Sequence, residues 1–212
     1  IFNLFSPIKV TEADLSDFKK GLFLYQVWNR WAWLETVSSY RRSRLGSFWL
    51  TINLFVMVFG MGGVFSILWN IPINEYLPYV AISILLWSVI ATMINEGCTI
   101  FMSVSGQILN RNNPLSLYVF KFIWKQVINT LHIIIVPFCV FLVFGKTFNG
   151  YIFVSFLGFF IIYLAGFFAA ILLGMFSLRY RDAPMIIANI MQVSFFLTPI
   201  FWDASQLTGK KT

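Results

Sequence analysis

Residues 48–69 read FWLTINLFVMVFGMGGVFSILW, 22 positions without a charged side chain. An α-helix rises about 1.5 Å per residue, so about 20 residues cross a hydrocarbon core about 30 Å thick. A spanning strand would need only about ten residues and would alternate apolar with polar. This run does not alternate, so it reads as a membrane-spanning helix. Four further runs of the same character follow, and the expected spans are about 48–69, 76–98, 126–145, 152–176 and 183–202.

Composition agrees. Of 212 residues, 59% are hydrophobic and 11% charged, and the mean hydropathy is +0.80. A soluble domain carries about a quarter charged residues, so the apolar surface here must face lipid. The expected fold is an all-α integral membrane protein. It has a cytoplasmic N-terminal segment over 1–47, a transmembrane domain over 48–202 and a short tail over 203–212.

The net charge of +7 does not point to nucleic acid, because the basic residues sit in short segments between the spans. That distribution follows the rule that keeps Lys and Arg on the cytoplasmic side. With the N-terminus inside, twelve of the fifteen basic residues are cytoplasmic and three external. Five spans leave Lys210 and Lys211 outside, against the usual bias.

Ahead of the first span, residues 22–34 (LFLYQVWNRWAWL) are aromatic but broken by Gln26, Asn29 and Arg30. Leu24, Val27, Trp28, Trp31 and Leu34 fall at helical spacing on one face. The segment is too short and polar to span. It reads either as an amphipathic helix lying in the interface or as a helix packed inside a cytosolic extension.

Several polar groups have structural and functional readings. Arg41, Arg42 and Arg44 anchor span one to an anionic leaflet at about 1 kcal/mol per basic residue; docking a cytosolic partner is the additional reading. Arg179, Arg181, Asp182 and Pro184 suit a tight turn between helices. The arginines meet the negative end of one helix, Asp182 caps the positive start of the next, and Pro184 fits its first turn. Glu96, at the inner end of span two, is a functional candidate by default, or else a cap or an ion-pair partner of Arg111 or Lys125. His132 has no second histidine beside it for a metal site and reads as a packed hydrogen-bonder.

Gly145-Lys146-Thr147 resembles the end of a phosphate-binding loop, but Val140 stands where that loop needs glycine. Cys98 and Cys139 should differ in depth by over about 10 Å, too far for a disulfide. Small residues at Gly62/Ser66, Ala165/Ala169, Gly166/Ala170 and Ala170/Gly174 are spaced for close helix contact. Paired carboxylates, Ser-His-Asp sets and Asp-rich diphosphate motifs are missing from the sequence, which argues against an enzyme.

Four stretches in order carry a family resemblance: residues 40–49 (YRRSRLGSFW), 76–98 (YLPYVAISILLWSVIATMINEGC), 113–132 (NPLSLYVFKFIWKQVINTLH) and 179–202 (RYRDAPMIIANIMQVSFFLTPIFW). Together the chain, from about residue 24 to 207, resembles the membrane-spanning subunits of ABC type-2 polysaccharide exporters, which handle O-antigen, capsule and teichoic-acid chains. One departure is Ile133, where the family pattern has Asn after His132.

The resemblance implies a homodimer in a bacterial inner membrane bound to two copies of a cytosolic ATPase. ATP and Mg would sit on that partner, and no cofactor on this chain. The cargo would be a glycan on undecaprenyl diphosphate. The ATPase would meet Arg41, Arg42 and Arg44 together with Arg111, Asn112, Asn113 and Pro114. Aromatic faces stack on sugars, which makes Phe195, Phe196, Phe201 and Trp202 candidates for the glycan path.

Two rivals remain: a secondary transporter or channel, which would show charged residues or broken helices at mid-membrane, and a polyprenyl-phosphate enzyme, which would need grouped acids for a metal. An ATPase gene beside this one would favour export.

The family has six spans, so the natural chain is expected to continue through a sixth that returns the C-terminus to the cytoplasm, with Pro199 starting the bend at the outer end of span five. A reporter fused to the C-terminus of the natural gene product should read cytoplasmic on a longer chain. An external reading on a chain ending at Thr212 would contradict six spans.

Overall fold

The structure, a computed structural model, describes residues 12–39, 45–110, 113–146, 150 and 152–202. They form helices and connecting turns, with no strand among the described residues: α1 (Glu12–Phe23), α2 (Tyr25–Ser39), α3 (Phe48–Leu68), α4 (Ile73–Ser103), α5 (Ser105–Asn110), α6 (Leu115–Ile133), α7 (Ile135–Val143), α8 (Ile152–Arg179) and α9 (Ala183–Leu197). Four helical segments are long and apolar enough to cross a membrane: α3, α4, the α6–α7 pair, and α8 from Phe153. The chain is an all-α membrane protein.

The spans differ from the expected ones where polar residues or prolines intervene. Span two is expected to end at Cys98, just past Glu96, and span three to begin after Lys125. In the structure α4 runs on to Ser103 and α6 begins at Leu115, because Lys125 pairs with Glu96 and Glu35, and Lys121 with Glu35. At about 1.5 Å per residue, the 31 residues of α4 extend about 46 Å, well beyond a hydrocarbon core.

Span three is bent. Pro137 has no N–H for the Ile133 carbonyl, and the helix breaks at Ile134 between α6 and α7. Span five is shorter than 183–202. α9 stops at Leu197, since Thr198 precedes a proline and takes the extended backbone (φ −81°, ψ 137°) that such a position favours. With 15 residues, α9 falls short of a full crossing. The bend expected at Pro199 is there. Beyond it Ile200 and Phe201 turn back and are buried, held by hydrogen bonds from Tyr76 Oη to the Phe201 carbonyl (2.6 Å) and from Tyr79 Oη to the Pro199 carbonyl (2.7 Å).

α4 is the centre of the bundle, packing against α3, α6, α7, α8 and α9. Its most extensive contact is with α8. There Gly166, Ala170 and Gly174 recur at four-residue intervals, each buried, against Met93, Gly97 and Ile100–Phe101 of α4. A Cβ on Gly174 would come within 2.8 Å of Ile100 Cγ2 and 3.1 Å of the Gly97 carbonyl oxygen; one on Gly97 would meet Ala170 Cα at 3.2 Å. Gly62 of α3 is likewise pressed by Leu77 of α4. Ala165, by contrast, is exposed, so the Ala165/Ala169 spacing is not part of the tight seam.

Gly145 proves to be a helix stop. Its φ is +61°, its N–H bonds Leu142 O (3.3 Å), and the Lys146 N–H bonds Phe141 O (3.0 Å). This paired arrangement satisfies the last carbonyls of α7 and favours glycine. Asn70 (φ 53°) ends α3 in the same way. The two cysteines are unpaired, Cys98 buried and Cys139 exposed.

If close α4–α8 approach holds the bundle, leucine at Gly97 or Gly174 should destabilise the purified protein by on the order of 1–3 kcal/mol. Alanine at Gly158, where a Cβ would meet nothing within 4 Å, should shift stability by about 0.5 kcal/mol or less. Thermal unfolding in detergent measures both, and equal losses at all three positions would overturn the packing account.

Candidate functional site

α1 and α2 dock on the first half of α6. Asp17 of α1 supplies what the start of α6 lacks. Its carboxylate accepts the N–H groups of Leu115 (3.2 Å) and Ser116 (3.1 Å), while Ser116 Oγ donates to the Asp17 carbonyl (2.7 Å). An acid there also suits the positive end of a helix dipole. Gly21 is the neighbouring close approach, since any side chain on it would strike Ser116. Further along, Trp124 Nε1 donates to Asn29 Oδ1 (2.7 Å), and Trp28 packs between Phe120 and Trp124.

The buried side of α2 is not quite the expected face. Ala32 and Thr36 are fully or nearly buried and Trp28 and Trp31 half-buried, whereas Leu34 is 61% exposed. Contact with α6 selects the Trp28–Ala32–Thr36 line. The outer side of the α1–α2 pair keeps Phe23, Tyr25, Trp33 and Leu34 exposed. The pair therefore packs on α6 and still presents an apolar surface.

Where α2, α4 and α6 meet, two lysines and two glutamates form one cluster. Lys121 Nζ lies 2.6 Å from Glu35, and Lys125 Nζ lies 3.1 Å from Glu35 and 3.2 Å from Glu96. Gln126 Nε2 adds a hydrogen bond to Glu96 (2.9 Å). Glu96 thus pairs with Lys125, one of its two expected partners, while Arg111 lies outside the described residues. Burial opposes ionisation of Glu35, but the hydrogen bonds and charges of Lys121 and Lys125 outweigh it and hold the carboxyl below its usual range. One ammonium, Lys125, ties three helices together, and the four charges cancel.

Beside this cluster lies a cavity of about 410 Å³ between α2, α3, α4 and α6, within the range of about 300–1,000 Å³ usual for small-ligand sites. Its polar lining comes as stripes: Ser88, Thr92 and Glu96 at four-residue steps on α4, Gln126, Asn129 and Thr130 on α6, with Asn53 from α3. Ser88 spends its hydroxyl on the Ile84 carbonyl, and Thr130 accepts from Tyr163 of α8 (2.6 Å). The side chains of Asn53, Thr92 and Asn129 make no hydrogen bond among the described residues. Asn53 is exposed and Thr92 and Asn129 are half-buried, so these groups remain open to water. The signal for this cavity was legible as polar residues at helical spacing on two helices.

His132 stands just beyond the cavity and is a packed hydrogen-bonder, as expected. Its Nδ1 faces the Ile128 carbonyl (2.8 Å) and therefore donates, which leaves Nε2 to accept from the Ser47 hydroxyl (3.0 Å) in the neutral ring. Thr51 donates to the His132 carbonyl (2.8 Å). No group of three His, Cys, Asp or Glu suited to a metal occurs among the described residues.

The other expected sites are scattered. Arg41, Arg42, Arg44, Arg111 and Asn112 lie outside the described residues, as does the tail over 203–212. Asn113 and Pro114 form the start of α6, partly exposed beside Lys19, Lys20 and Phe23. Arg179, Arg181 and Asp182 are exposed in the turn between α8 and α9, with Pro184 in the first turn of α9. Asp182 occupies the cap position but makes no side-chain cap hydrogen bond; what it offers the helix is its charge.

The glycan-path aromatics do not share a face. Phe201 is 5% exposed, stacked on Phe65 (5.3 Å) and against Phe195 (4.9 Å), which also touches Trp87. Phe196 is 65% exposed, and Trp202 is half-buried with Nε1 directed at the Phe196 carbonyl (3.4 Å). The bend at Pro199 folds Phe201 into the core, so within one chain only Phe196 faces outward.

Among known proteins, no family model and no curated protein matches the chain.

Glu35 gives the docking of α2 a pH dependence. Because its folded value is depressed, the tie is fully present above its ordinary value of 4.5 and is lost as pH falls through the lower folded value. At 38% side-chain exposure the contribution is about 0.5–1 kcal/mol. Glu35→Gln should raise amide exchange in α2 at neutral pH and remove its acid dependence. Lys125→Met should do more damage, since it strands Glu96 as well. Unchanged α2 protection in both variants would refute the tie.

Proposed function

We propose that this chain is the membrane-spanning subunit of an ATP-driven ABC exporter. It would carry undecaprenyl-diphosphate-linked polysaccharide across a bacterial inner membrane, as a homodimer with two copies of a cytosolic ATPase. The four-stretch resemblance supplies the family. One observation on the fold supports the channel: α9 buries only Ala183 among its residues and leaves Asn189 and Gln192, one turn apart, exposed. Amides on the outside of an apolar helix are costly in hydrocarbon. They suit a helix that faces a second copy across a wet path.

The basic end supports a partner below. α4 passes through Val104 into the short α5, and α6 starts at Leu115 under the Asp17 cap. A force applied at this junction acts directly on α4 and α6, the two helices that line most of the polar cavity. In this reading Arg111, Asn112, Asn113 and Pro114, with Arg41, Arg42 and Arg44, meet the ATPase. ATP and Mg stay on that subunit, and the bilayer and the lipid-linked glycan are the other partners.

A secondary transporter or channel is the second reading, favoured by the Glu35–Lys125–Glu96 cluster beside a cavity in the bundle.

Purified alone, the chain should turn over no ATP, and it should co-purify with a cytosolic ATPase when the two are expressed together. Arg111→Glu should weaken that complex without impairing membrane insertion. Robust ATP turnover by the isolated subunit would sink the exporter reading, and normal assembly of the Arg111 variant would sink the docking surface.

A further inference from the structure

We propose that the open groove between the end of α1 and the start of α6 binds the headgroup of an anionic phospholipid, drawn from the leaflet at the basic end of the bundle. Lys19, Lys20, Phe23 and Leu24 line one side and Asn113 and Pro114 the other, around a volume of about 440 Å³. Lys19 and Lys20 are exposed and make no ion pair among the described residues. Asp17, two positions before them, is spent on the Leu115 and Ser116 N–H groups. No acidic side chain among the described residues lines the groove, so two cations stand there without a counter-charge.

The depth of α1 favours lipid over a cytosolic protein as the occupant. The Phe18 ring, next to Lys19, packs on Phe120 of α6 (5.3 Å) and Phe167 of α8 (6.1 Å). Beyond Phe167, α8 runs without a charge from Phe168 to Leu178 before reaching Arg179, about 18 Å of helix. Phe168, Leu172, Met175 and Leu178 are exposed along it. Such a surface belongs in hydrocarbon, and α1, held at the level where that surface begins, lies beside the leaflet.

The chemistry of the lining matches both halves of a phospholipid. The two ammonium groups pair with a phosphodiester through charge-assisted hydrogen bonds, and their long stems let the charges reach headgroup depth while the methylenes stay in apolar surroundings. The Asn113 amide donates to a phosphate or glycerol oxygen. Phe23, 79% exposed, offers its ring to an acyl chain, which a free phosphate would leave unused. Asn113 and Pro114 border the segment assigned above to the ATPase, but the inference rests on α1 and its lysines. Loss of the exporter reading leaves it standing, and its own failure leaves that reading untouched.

The test uses the full chain in mild detergent, titrated with phosphatidylglycerol or phosphatidylcholine, with native mass spectrometry counting the lipid retained. Phosphatidylglycerol should be retained preferentially and saturably, and glycerol phosphate should not displace it. The double variant Lys19→Gln/Lys20→Gln should weaken that retention about tenfold, and Phe23→Asn should weaken it too. Arg179→Gln/Arg181→Gln removes the same charge from the same end of the bundle and should leave retention unchanged. All these side chains are exposed, so melting without added lipid should be the same in every variant, which separates lost binding from lost folding. Equal retention of the two lipids, displacement by glycerol phosphate, undiminished retention by the lysine variant, or equal loss in the two charge-removing pairs overturns the proposal. So does protection of α1 from hydrogen exchange by the cytosolic ATPase but not by phosphatidylglycerol, which would make the occupant a protein.

Discussion

Helices in lipid gain little by hiding apolar side chains from one another, because the surrounding tails are equally apolar. Close fit is what remains, and in this fold it is concentrated where α4 meets α8. Gly97, Gly166, Ala170 and Gly174 let two backbones approach until a single Cβ would collide. Dispersion gains over such a seam are individually small and collectively large. α4, fixed in this way, is the post on which α3, α6, α7 and α9 lean. The residues that face away from it, including most of α8 and α9, remain exposed and apolar, as a lipid solvent permits.

The same helix carries the polar side of the protein. From Ser88 to Glu96 it turns hydroxyls and a carboxylate toward α6, and Lys125 answers. Glu35 reaches the same lysine from α2. The N-terminal helix pair is thus an electrostatic part of the bundle. Remove α2 and Lys121 and Lys125 lose a shared counter-charge; remove Asp17 and two N–H groups at the start of α6 lose their acceptor.

Much of this was legible in residues alone. Uninterrupted apolar runs located the spans, small residues at four-residue spacing located the seam, and Val140 betrayed the false phosphate loop that Gly145 turns out to end as a helix stop. Three features were hidden for physical reasons. The reach of α4 and α6 past their apolar runs depends on charge pairing between segments 29 and 90 residues apart, which no local window contains. The break at Ile134 before Pro137 and the fold-back after Pro199 come from prolines, whose effect on a helix depends on the packing around them. The cavity is not local in sequence: its amides and hydroxyls come from four helices and meet only in the folded bundle.

Three features organise the bundle: the close α4–α8 pair, a polar cavity between α2, α3, α4 and α6, and the exposed amides Asn189 and Gln192 on α9. Under the proposed function, the energy for transport comes from a separate ATPase pressing on the α4–α5–α6 junction. The most direct test is reconstitution of the chain with that ATPase in proteoliposomes loaded with lipid-linked polysaccharide, following glycan transfer across the bilayer. Transfer that requires ATP and both subunits, and ignores an imposed ion gradient, is the result the account predicts. Transfer by this chain alone, driven by an ion gradient without ATP, would contradict it.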